Sequence, residues 1–464
     1  MKLPTFELDQ ITTLPKAINV IEQLLQTQQL LLEKIIFLEA EVARLKGQPK
    51  KPSFSSGNHN QSTSVTNLLK ENRSWHKSSK KGTVAIDRHE QLSEVDVCSC
   101  GSTSFTTIRT TKKIVQGIIF QRDNVLHKGR VKQCAHCGKQ YRSILPNQLR
   151  GTSFSPSLAS FLSFWHYGCR VTIPLLLRTM TGIGIQISSG QVSNLLLQNG
   201  QKLQAADHQL RTVGIAKSPY LQSDASGAKR KEQQTGKMRN QYVQVISNKL
   251  LSVFSITKYY NQKTLNRLLT RAGRKKLFVS DDGSPNGESC GCRSRQLCWV
   301  HEIRHYKKLF PFFNPYQLLQ QQILTEWQAF YHLAKHYAES PPEEREKKQQ
   351  EIRQLFDQIT SQLTGYDLLD KQLRLTRKKI DRLLLFLNHP ELPIHNNQCE
   401  QDIRPFVIIR KISGGTKSYR GDKSLARHLS VIQTAQKQGL DVYKTLQGLL
   451  TGQLSPAVLT ANIC

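Results

Sequence analysis

Residues 218–281 contain the pattern that decides the fold, in five segments: 218-SPYLQSD-224, 240-NQYVQVISN-248, 250-LLSVFSIT-257, 262-QKTLNRLLTRAG-273 and 275-KKLFVSD-281. The first three and the last have the texture of strands, whereas the fourth has the apolar spacing of an amphipathic helix. The predicted order is therefore β-β-β-α-β. Asp224 ends the first predicted strand and Asp281 ends the fourth.

This order is the beginning of an RNase H-like α/β core, in which the first and fourth strands are neighbours. Acidic residues on those strands would lie side by side, and paired carboxylates bind hard divalent cations. A later helix normally supplies a third carboxylate, for which Glu400 in 395-HNNQCEQDIRPFVIIRKISGG-415 is the candidate. Each acid also has a structural alternative, as a turn residue for the aspartates and as a helix-capping residue for Glu400.

The chemistry that such a site would support is phosphodiester cleavage. That reaction needs an activated water and a stabilised leaving oxygen, which two metal ions about 3.5–4 Å apart provide together. Arg404 follows Glu400 by four residues and would share its helical face if Pro405 does not end the helix. Five basic residues are candidate phosphate contacts: Lys229, Arg230, Arg404, Arg410 and Lys411.

The net charge predicts a polyanionic partner. The 464 residues include 66 Lys and Arg against 34 Asp and Glu, a formal charge of +32. Each phosphate that a protein neutralises releases counterions, so such an excess favours binding to nucleic acid. No apolar run is long enough for a membrane span, and the opening MKLPTFELDQ lacks a secretory signal pattern, which predicts a cytoplasmic protein.

The N-terminal region has the heptad pattern of a coiled coil. Gln28 is a polar position within an apolar series spaced by three and four residues, which indicates self-association. The alternative is an amphipathic helix that packs on its own protein. A Ser, Lys, Asn and Gly-rich stretch after Gly47 predicts a basic flexible linker. The apolar series is Ile21, Leu24, Leu31, Ile35, Leu38, Val42 and Leu45.

Two cysteine pairs resemble the ligands of a zinc ribbon: Cys98 with Cys100, and Cys134 with Cys137. Four thiolates give Zn²⁺ a closed tetrahedral shell, and a glycine follows each pair where a turn favours positive φ. Four incidental thiols are the alternative, and the first pair is shorter than the usual spacing. Further along, a Ser cap at 188 or 189 before QVSNLLLQ is typical of the second helix of a helix-turn-helix, or of a plain helical subdomain.

Together these motifs resemble the DDE transposases of bacterial insertion sequences, most closely the insertion-sequence sixty-six family. The resemblance rests on SDASGAK, SDDG, CWVHEIRHYKKL and, most specifically, NNQCEQDIRPFVIIRKISGG. It implies that Asp224, Asp281 and Glu400 are catalytic and hold Mg²⁺ or Mn²⁺, with Asp282 as the alternative to Asp281. Cys298 and His301 match the family's Cys-Trp-x-His element. This element would form either a second metal site or a packed Trp299 beside a hydrogen-bonded His301.

The family implies a specific reaction. The protein would bind terminal inverted repeats through residues 98–205, cleave DNA strands by metal-dependent hydrolysis and join the 3′-OH ends to target DNA. Its expected partners are DNA and further copies of itself, bound through the coiled coil. Accessory transposition proteins are left open as a third class of partner. The expected location is the nucleoid of a bacterium. Two alternatives remain open: a zinc-ribbon DNA-binding regulator or inactive derivative, and a coiled-coil scaffold.

The predicted fold class is multidomain, with an RNase H-like α/β catalytic core interrupted by an all-helical insertion. The predicted ranges are 1–46 (coiled coil), 47–95 (basic flexible linker), 96–150 (zinc ribbon-like), 151–205 (helix-turn-helix-like, DNA-binding), 206–290 (core, first part), 291–390 (helical insertion) and 391–464 (core, second part, and C-terminal helices).

Replacing Leu31 and Leu38 with Lys tests the coiled coil, because a charge at two core positions removes the apolar seam. We expect a smaller species than the wild type by multi-angle light scattering. An unchanged molar mass would contradict self-association through this helix.

Overall fold

The computed structural model describes most of the chain. The described residues are 13–45, 86, 88–89, 96–106, 108, 112–115, 120–146, 151–232, 234–283, 294–311 and 313–463. The chain forms two compact units, Met1–Phe37 with Asn124–Cys464, and Leu38–Asp123. The predicted linker at 47–95 lies almost entirely outside the described residues.

The elements alternate between strands and helices in the central part of the chain. The strands are β1 (Val131–Gln133), β2 (Gln140–Arg142), β3 (Tyr220–Lys231), β4 (Met238–Ser247), β5 (Ser252–Thr257), β6 (Leu277–Ser280) and β7 (Ser294–Leu297). The helices are α1 (Leu14–Leu45), α2 (Pro156–Ser163), α3 (Ile173–Gly182), α4 (Ser189–Lys202), α5 (Gln204–Gln209), α6 (Ile215–Lys217), α7 (Gln262–Arg274), α8 (Trp299–Lys307), α9 (Asn314–His336), α10 (Pro342–Thr360), α11 (Asp367–Arg377), α12 (Ile380–Leu383), α13 (Asn397–Ser413), α14 (Tyr419–Lys437) and α15 (Val442–Thr451).

A five-stranded mixed sheet in the order β5-β4-β3-β6-β7 organises the larger unit. Strands β3, β4 and β5 are antiparallel neighbours, and β6 and β7 continue the sheet in parallel with β3. The predicted β-β-β-α-β order is confirmed, and so is the expectation that the first and fourth strands of that series are neighbours. The α/β core is therefore present.

Two parts of the sheet differ from the sequence prediction. Strand β3 does not end at Asp224 but continues to Lys231, because Ala225–Lys231 also pairs with β4. Strand β7 lies within the range predicted as helical. Its sequence, SRQL, has no alternating apolar pattern; a buried Gln296 holds it instead, donating to Leu383 O at 2.9 Å and accepting from Phe386 N at 2.9 Å.

The helices that precede the sheet share a core with it. Ser188 caps α4 with a capping box to Gln191, as the sequence predicted. Val192 and Leu196 of α4 belong to the same buried cluster as Val243 of β4 and residues of α13 and α14. The predicted boundary at 205 therefore does not separate two hydrophobic cores, and the helix-turn-helix role of α3 and α4 stays a prediction.

The insertion after β7 is built around aromatic residues that pack in tilted and edge-to-face pairs. Trp299, Trp327, Phe330 and Phe356, from α8, α9 and α10, are completely buried and contact one another with ring centroids 4.4–6.1 Å apart. Large buried rings contribute more to packing energy than any other side chains. The insertion consequently has a core of its own against the β6–β7 side of the sheet.

Helix α1 is present, and polar residues outside the heptad seam connect it to the insertion, while self-association through the seam stays a prediction. The buried Gln29 donates to Phe310 O at 2.9 Å, and Tyr366 OH donates to Glu33 at 2.7 Å, so a polar face of α1 contacts the insertion. The apolar seam is exposed where its side chains are described, at Ile21, Leu24, Leu31 and Ile35. The side chains of Leu38, Val42 and Leu45 lie outside the described residues.

None of the helices in the described ranges combines the length and the apolar character that crossing a bilayer requires.

A buried histidine joins α14 to the π-helical turn after α2 and makes stability depend on pH. His428 stacks on Tyr167 at 4.1 Å, and its Nδ1–H donates to Ser424 O at 2.7 Å. Burial lowers the pKa of His428 to about 3. The unfolded chain accepts a proton below the ordinary pKa of about 6.5, so stability from this site is present above that pH and is lost as the pH falls.

We expect the free energy of unfolding to fall more steeply in the wild type than in His428→Phe between pH 6 and 4. The difference in slope should approach about 1.4 kcal/mol per pH unit, because one proton is taken up on unfolding. Urea titrations across this range measure it, with the exposed His208→Phe as the control. Identical slopes in wild type and His428→Phe would contradict the assignment.

Candidate active site

The register between β3 and β6 brings two of the predicted acids to one end of the sheet. Gln222 pairs with Val279 in this parallel ladder, and Asp224 and Asp281 each follow two residues later. Asp224 is half-buried within β3, where its carboxylate accepts from Ala225 N–H at 2.8 Å. Its position inside a paired strand excludes the alternative that Asp224 is a turn residue.

The third acid is held in place by the segment that begins α13. Asn396 donates from its side-chain amide to Ser223 O at 2.9 Å, and Gln222 donates to His395 O at 3.1 Å. The next turn carries Cys399, whose fully buried thiol points to Val245 O at 3.8 Å. These contacts fix the first turn of α13, and with it Glu400, beside the middle of β3.

Helix α13 also decides two questions about Glu400. Its N-cap is Asn396, so Asn397 lies inside the helix and the capping-box explanation for Glu400 is wrong. The helix continues through Pro405 to Ser413, which keeps Glu400 and Arg404 one turn apart on a continuous helix.

The three carboxylates interact electrostatically. Burial raises the pKa of Asp224 to about 6; the Ala225 hydrogen bond opposes this, and the negative charges of Asp281 and Glu400 raise it further. Glu400 Oε1 is buried and has no hydrogen-bond partner among the described residues. A group of carboxylates that repel one another and leave an acceptor unsatisfied fits a hard divalent cation, which would supply the missing positive charge.

Asp282 contacts two basic side chains of the insertion. Its Oδ2 accepts from His305 Nε2 at 3.0 Å and from Lys379 Nζ at 3.1 Å, and these hydrogen bonds lower its pKa well below the usual range. Lys379 also donates to the buried Glu302 at 2.7 Å. Asp282 is therefore part of an ion-pair network with the insertion.

Among the described residues, three potential metal-ligand atoms come within 4.8 Å of one another at Asp282, Glu302 and His305. The ammonium group of Lys379 already contacts both carboxylates of this group. A metal ion there would have to displace a paired cation. The geometry is thus that of a structural salt-bridge network.

His301 is a site residue whose contact the sequence did not predict. Its Nε2 lies 3.6 Å from Glu400 Oε1. Cys298 starts the same helix, and its thiol accepts from Asn396 N–H at 3.2 Å, while Trp299 is buried and donates to Leu383 O at 2.8 Å. The CWVH motif was the available signal, but nothing local in the sequence indicated that His301 would face Glu400.

The five basic candidates divide into two groups. Arg230 pairs with Asp422 at 2.7 Å, and Arg410 donates to Ser226 Oγ at 3.2 Å and to Gly227 O. These two arginines therefore connect β3 to α13 and α14. Lys229, Arg404 and Lys411 are exposed.

The glycines after α13 allow its end to approach β3 closely. Thr416 N donates to Lys229 O at 3.0 Å and Lys231 N donates to Thr416 O at 2.8 Å. Gly415 has φ of 132°, and a Cβ there would lie 2.3 Å from Lys229 O. A side chain at position 415 would push this segment away from β3, which explains why the residue there is glycine.

The cysteine pairs are described as two separate turns. Gly101 and Gly138 have the expected positive φ of 85° and 69°. Hydrogen bonds from the Cys100 amide and thiol lower the pKa of Cys98, and hydrogen bonds from Cys137 and His136 amides lower that of Cys134. The pairs belong to different compact units, so zinc at Cys98, Cys100, Cys134 and Cys137 stays a prediction.

Comparison with known proteins gives two matches. A family model described as Transposase IS66 family matches residues 151–424, a range that includes Asp224, Asp281 and Glu400 and excludes the cysteine pairs. The chain is also 39% identical over 173 residues to "Uncharacterized protein y4jO" of Sinorhizobium fredii (strain NBRC 101917 / NGR234), which is 37% of this chain and 51% of that protein. The chain thus spans about half the length of this curated relative.

Replacing Lys379 with Met tests the ion-pair network. It leaves Glu302 buried without its cation, and removal of one partner from a buried pair costs about 3 kcal/mol. We expect a clearly lower melting temperature by differential scanning calorimetry, partly restored by adding Glu302→Gln. The exposed neighbour Lys378→Met is the control; equal melting temperatures for both single variants would contradict the network.

Proposed function

Because the chain belongs to the Transposase IS66 family, we propose that it is a DDE-type DNA transposase with Asp224, Asp281 and Glu400 as its catalytic acids. The observation that carries this proposal is the register of β3 with β6, which places Asp224 and Asp281 level on adjacent strands, with both Asp281 and Glu400 near enough to raise the pKa of Asp224. The strand order, with three antiparallel strands followed by two parallel ones, supports an RNase H-like core.

The choice of Asp281 over Asp282 follows from the effect of Asp281 on Asp224 and from the ion pairs of Asp282. Asp281 raises the pKa of Asp224, so its charge acts on the site, whereas Asp282 is neutralised by His305 and Lys379. Asp282 would position Asp281 by tying the end of β6 to the insertion. His301 would orient Glu400 in the same way from α8.

Asp224, Asp281 and Glu400 would hold Mg²⁺ or Mn²⁺, which when bound supplies an acidified water and stabilises a leaving 3′ oxygen. The residues of the chain have two tasks. Asp224 would present an oxygen ligand from a paired strand, and Asp281 from the position directly after one. Glu400 completes the set from a helix that is fixed to β3 by Asn396.

The exposed cations Lys229, Arg404 and Lys411 would contact DNA phosphates beside these acids. Arg230 and Arg410, which have protein partners, would mainly shape the surface on which the DNA lies.

The remaining activities extend the same proposal to DNA ends and assembly. The protein would bind terminal inverted repeats through residues 98–205, cleave the strands and join the 3′-OH ends to target DNA. The exposed seam of α1 supports self-association, and the lowered thiol pKa values of Cys98 and Cys134 support zinc binding. Accessory transposition proteins are a further class of partner.

Cleavage of DNA ends tests the catalytic assignment. The substrate is a DNA fragment that carries the inverted repeats flanking the gene, incubated with Mg²⁺ or Mn²⁺. Changes outside the ligand shell of a metal lower activity by up to roughly 100-fold. The cleavage rates of Asp224→Asn, Asp281→Asn and Glu400→Gln should each fall by more than this. Asp282→Asn should keep cleavage and lose thermal stability.

Retained cleavage in Glu400→Gln would overturn the site assignment. Loss of cleavage in Asp282→Asn, together with activity in Asp281→Asn, would exchange the second acid. If the wild-type protein binds the fragment but does not cleave it in the presence of either cation, the result would favour a DNA-binding regulator or an inactive derivative.

A further inference from the structure

One surface of the core is basic beyond what the catalytic site uses. Residues 233–280 contain ten Lys and Arg and no Asp or Glu. Helix α7 and the residues that follow it contribute half of these cations on exposed positions. They are Lys263, Arg267, Arg271, Arg274 and Lys275.

The opposite face of α7 is fixed to the sheet. Leu265 and Leu269 are buried in a cluster with Leu221 of β3 and Phe278 of β6. Asn261 caps the helix through the Thr264 amide at 2.9 Å. These contacts fix the first part of α7, which carries Lys263 and Arg267. The helix is broken at Thr270, where φ is 61°, and Arg271 and Arg274 project from the part after the break.

The same cations lack acidic neighbours. None of these five makes an ion pair with another residue in the described part of the chain. Helix α10 provides the contrast, because its basic residues alternate with acids and Lys348 pairs with Glu344 at 3.0 Å. The outer face of α7 is thus more uniformly basic than that of α10.

The topology places the start of α7 at the same end of β6 as Asp281, but on the face of the sheet opposite to Asp224. Leu221 contacts α7, and Asp224, three residues later in β3, has its side chain on the other face. Strands β5 and β6 are parallel, since both are related to β3 through the sheet, and α7 connects them. A helix that crosses between parallel strands runs antiparallel to them, so the start of α7 lies at the carboxyl ends of β5 and β6. Asp281 follows β6 at that end, and Lys263 stands in the first turn of α7.

We propose that the exposed face of α7 binds the phosphate backbone of duplex DNA, on the side of the core opposite to the Asp224 site. The inference rests on the proposed function, since the DNA bound there would be the transposase's own substrate. Arginines favour phosphate because their planar guanidinium can donate two parallel hydrogen bonds. Backbone contacts of this kind are independent of base sequence.

The salt dependence of DNA binding tests this surface. The full-length protein and the triple variant Arg267→Gln, Arg271→Gln, Arg274→Gln are titrated with a fluorescent 30-base-pair duplex of random sequence, without divalent cations, at several salt concentrations. Three lost phosphate contacts should reduce the slope of log K against log salt by about 2.7. Between 50 and 200 mM salt, wild-type affinity should fall roughly 40-fold more than that of the variant.

The matched control is Lys347→Gln, Lys348→Gln, Arg353→Gln on α10, which removes the same net charge from a mixed surface. We expect its slope to stay close to the wild-type value. Equal slopes for the two triple variants, or an α7 variant with the wild-type slope, would overturn the proposal.

This result is separable from the catalytic assignment. Asp224→Asn should keep the wild-type salt slope while it loses cleavage. A lowered slope in the α7 variant, with cleavage retained in Asp224→Asn and Glu400→Gln, would support the α7 surface and reject the catalytic site. A wild-type slope in the α7 variant, with cleavage lost in Asp224→Asn and Glu400→Gln, would reject the α7 surface and support the catalytic site.

Discussion

The parallel pairing of β3 with β6 is the constraint on which the site depends. Three paired positions, ending with Gln222 opposite Val279, fix the relative positions of Asp224 and Asp281. A shift of one residue would move a side chain to the other face of the sheet and separate the two carboxylates. The burial that raises the pKa of Asp224 is a consequence of placing it inside a strand instead of at its exposed end.

The insertion takes part in the same arrangement. Cys298, the N-cap of its first helix, accepts from the backbone of Asn396, and Asn396 in turn contacts β3. Lys379, at its far end, contacts Asp282 next to the second acid. The insertion therefore contacts both the segment that holds Glu400 and the end of β6. A change in its packing would shift the positions of the carboxylates.

Local sequence patterns were sufficient to predict the strands at the centre of the sheet and the helix that connects two of them. They also found the position of Asp281, because a buried run, LFVS, ends there. They failed at β7, whose SRQL sequence is held by Gln296 contacts with residues almost ninety positions later. They also ended β3 too early, because the basic residues after Asp224 pair with β4 and carry no strand signal of their own.

The difference between Asp281 and Asp282 could not be predicted for the same reason: Lys379 is 97 residues away. The heptad pattern of α1 predicted a helix but not its contact with the insertion through Gln29 and Glu33. In each case the deciding interaction is a long-range polar contact, which no periodicity of nearby residues records.

Anomalous diffraction from crystals of the protein grown with Mn²⁺ tests the central claim most directly. We predict a manganese peak bounded by the carboxylates of Asp224, Asp281 and Glu400. Manganese at Asp282, Glu302 and His305, with none among the three proposed acids, would contradict the account.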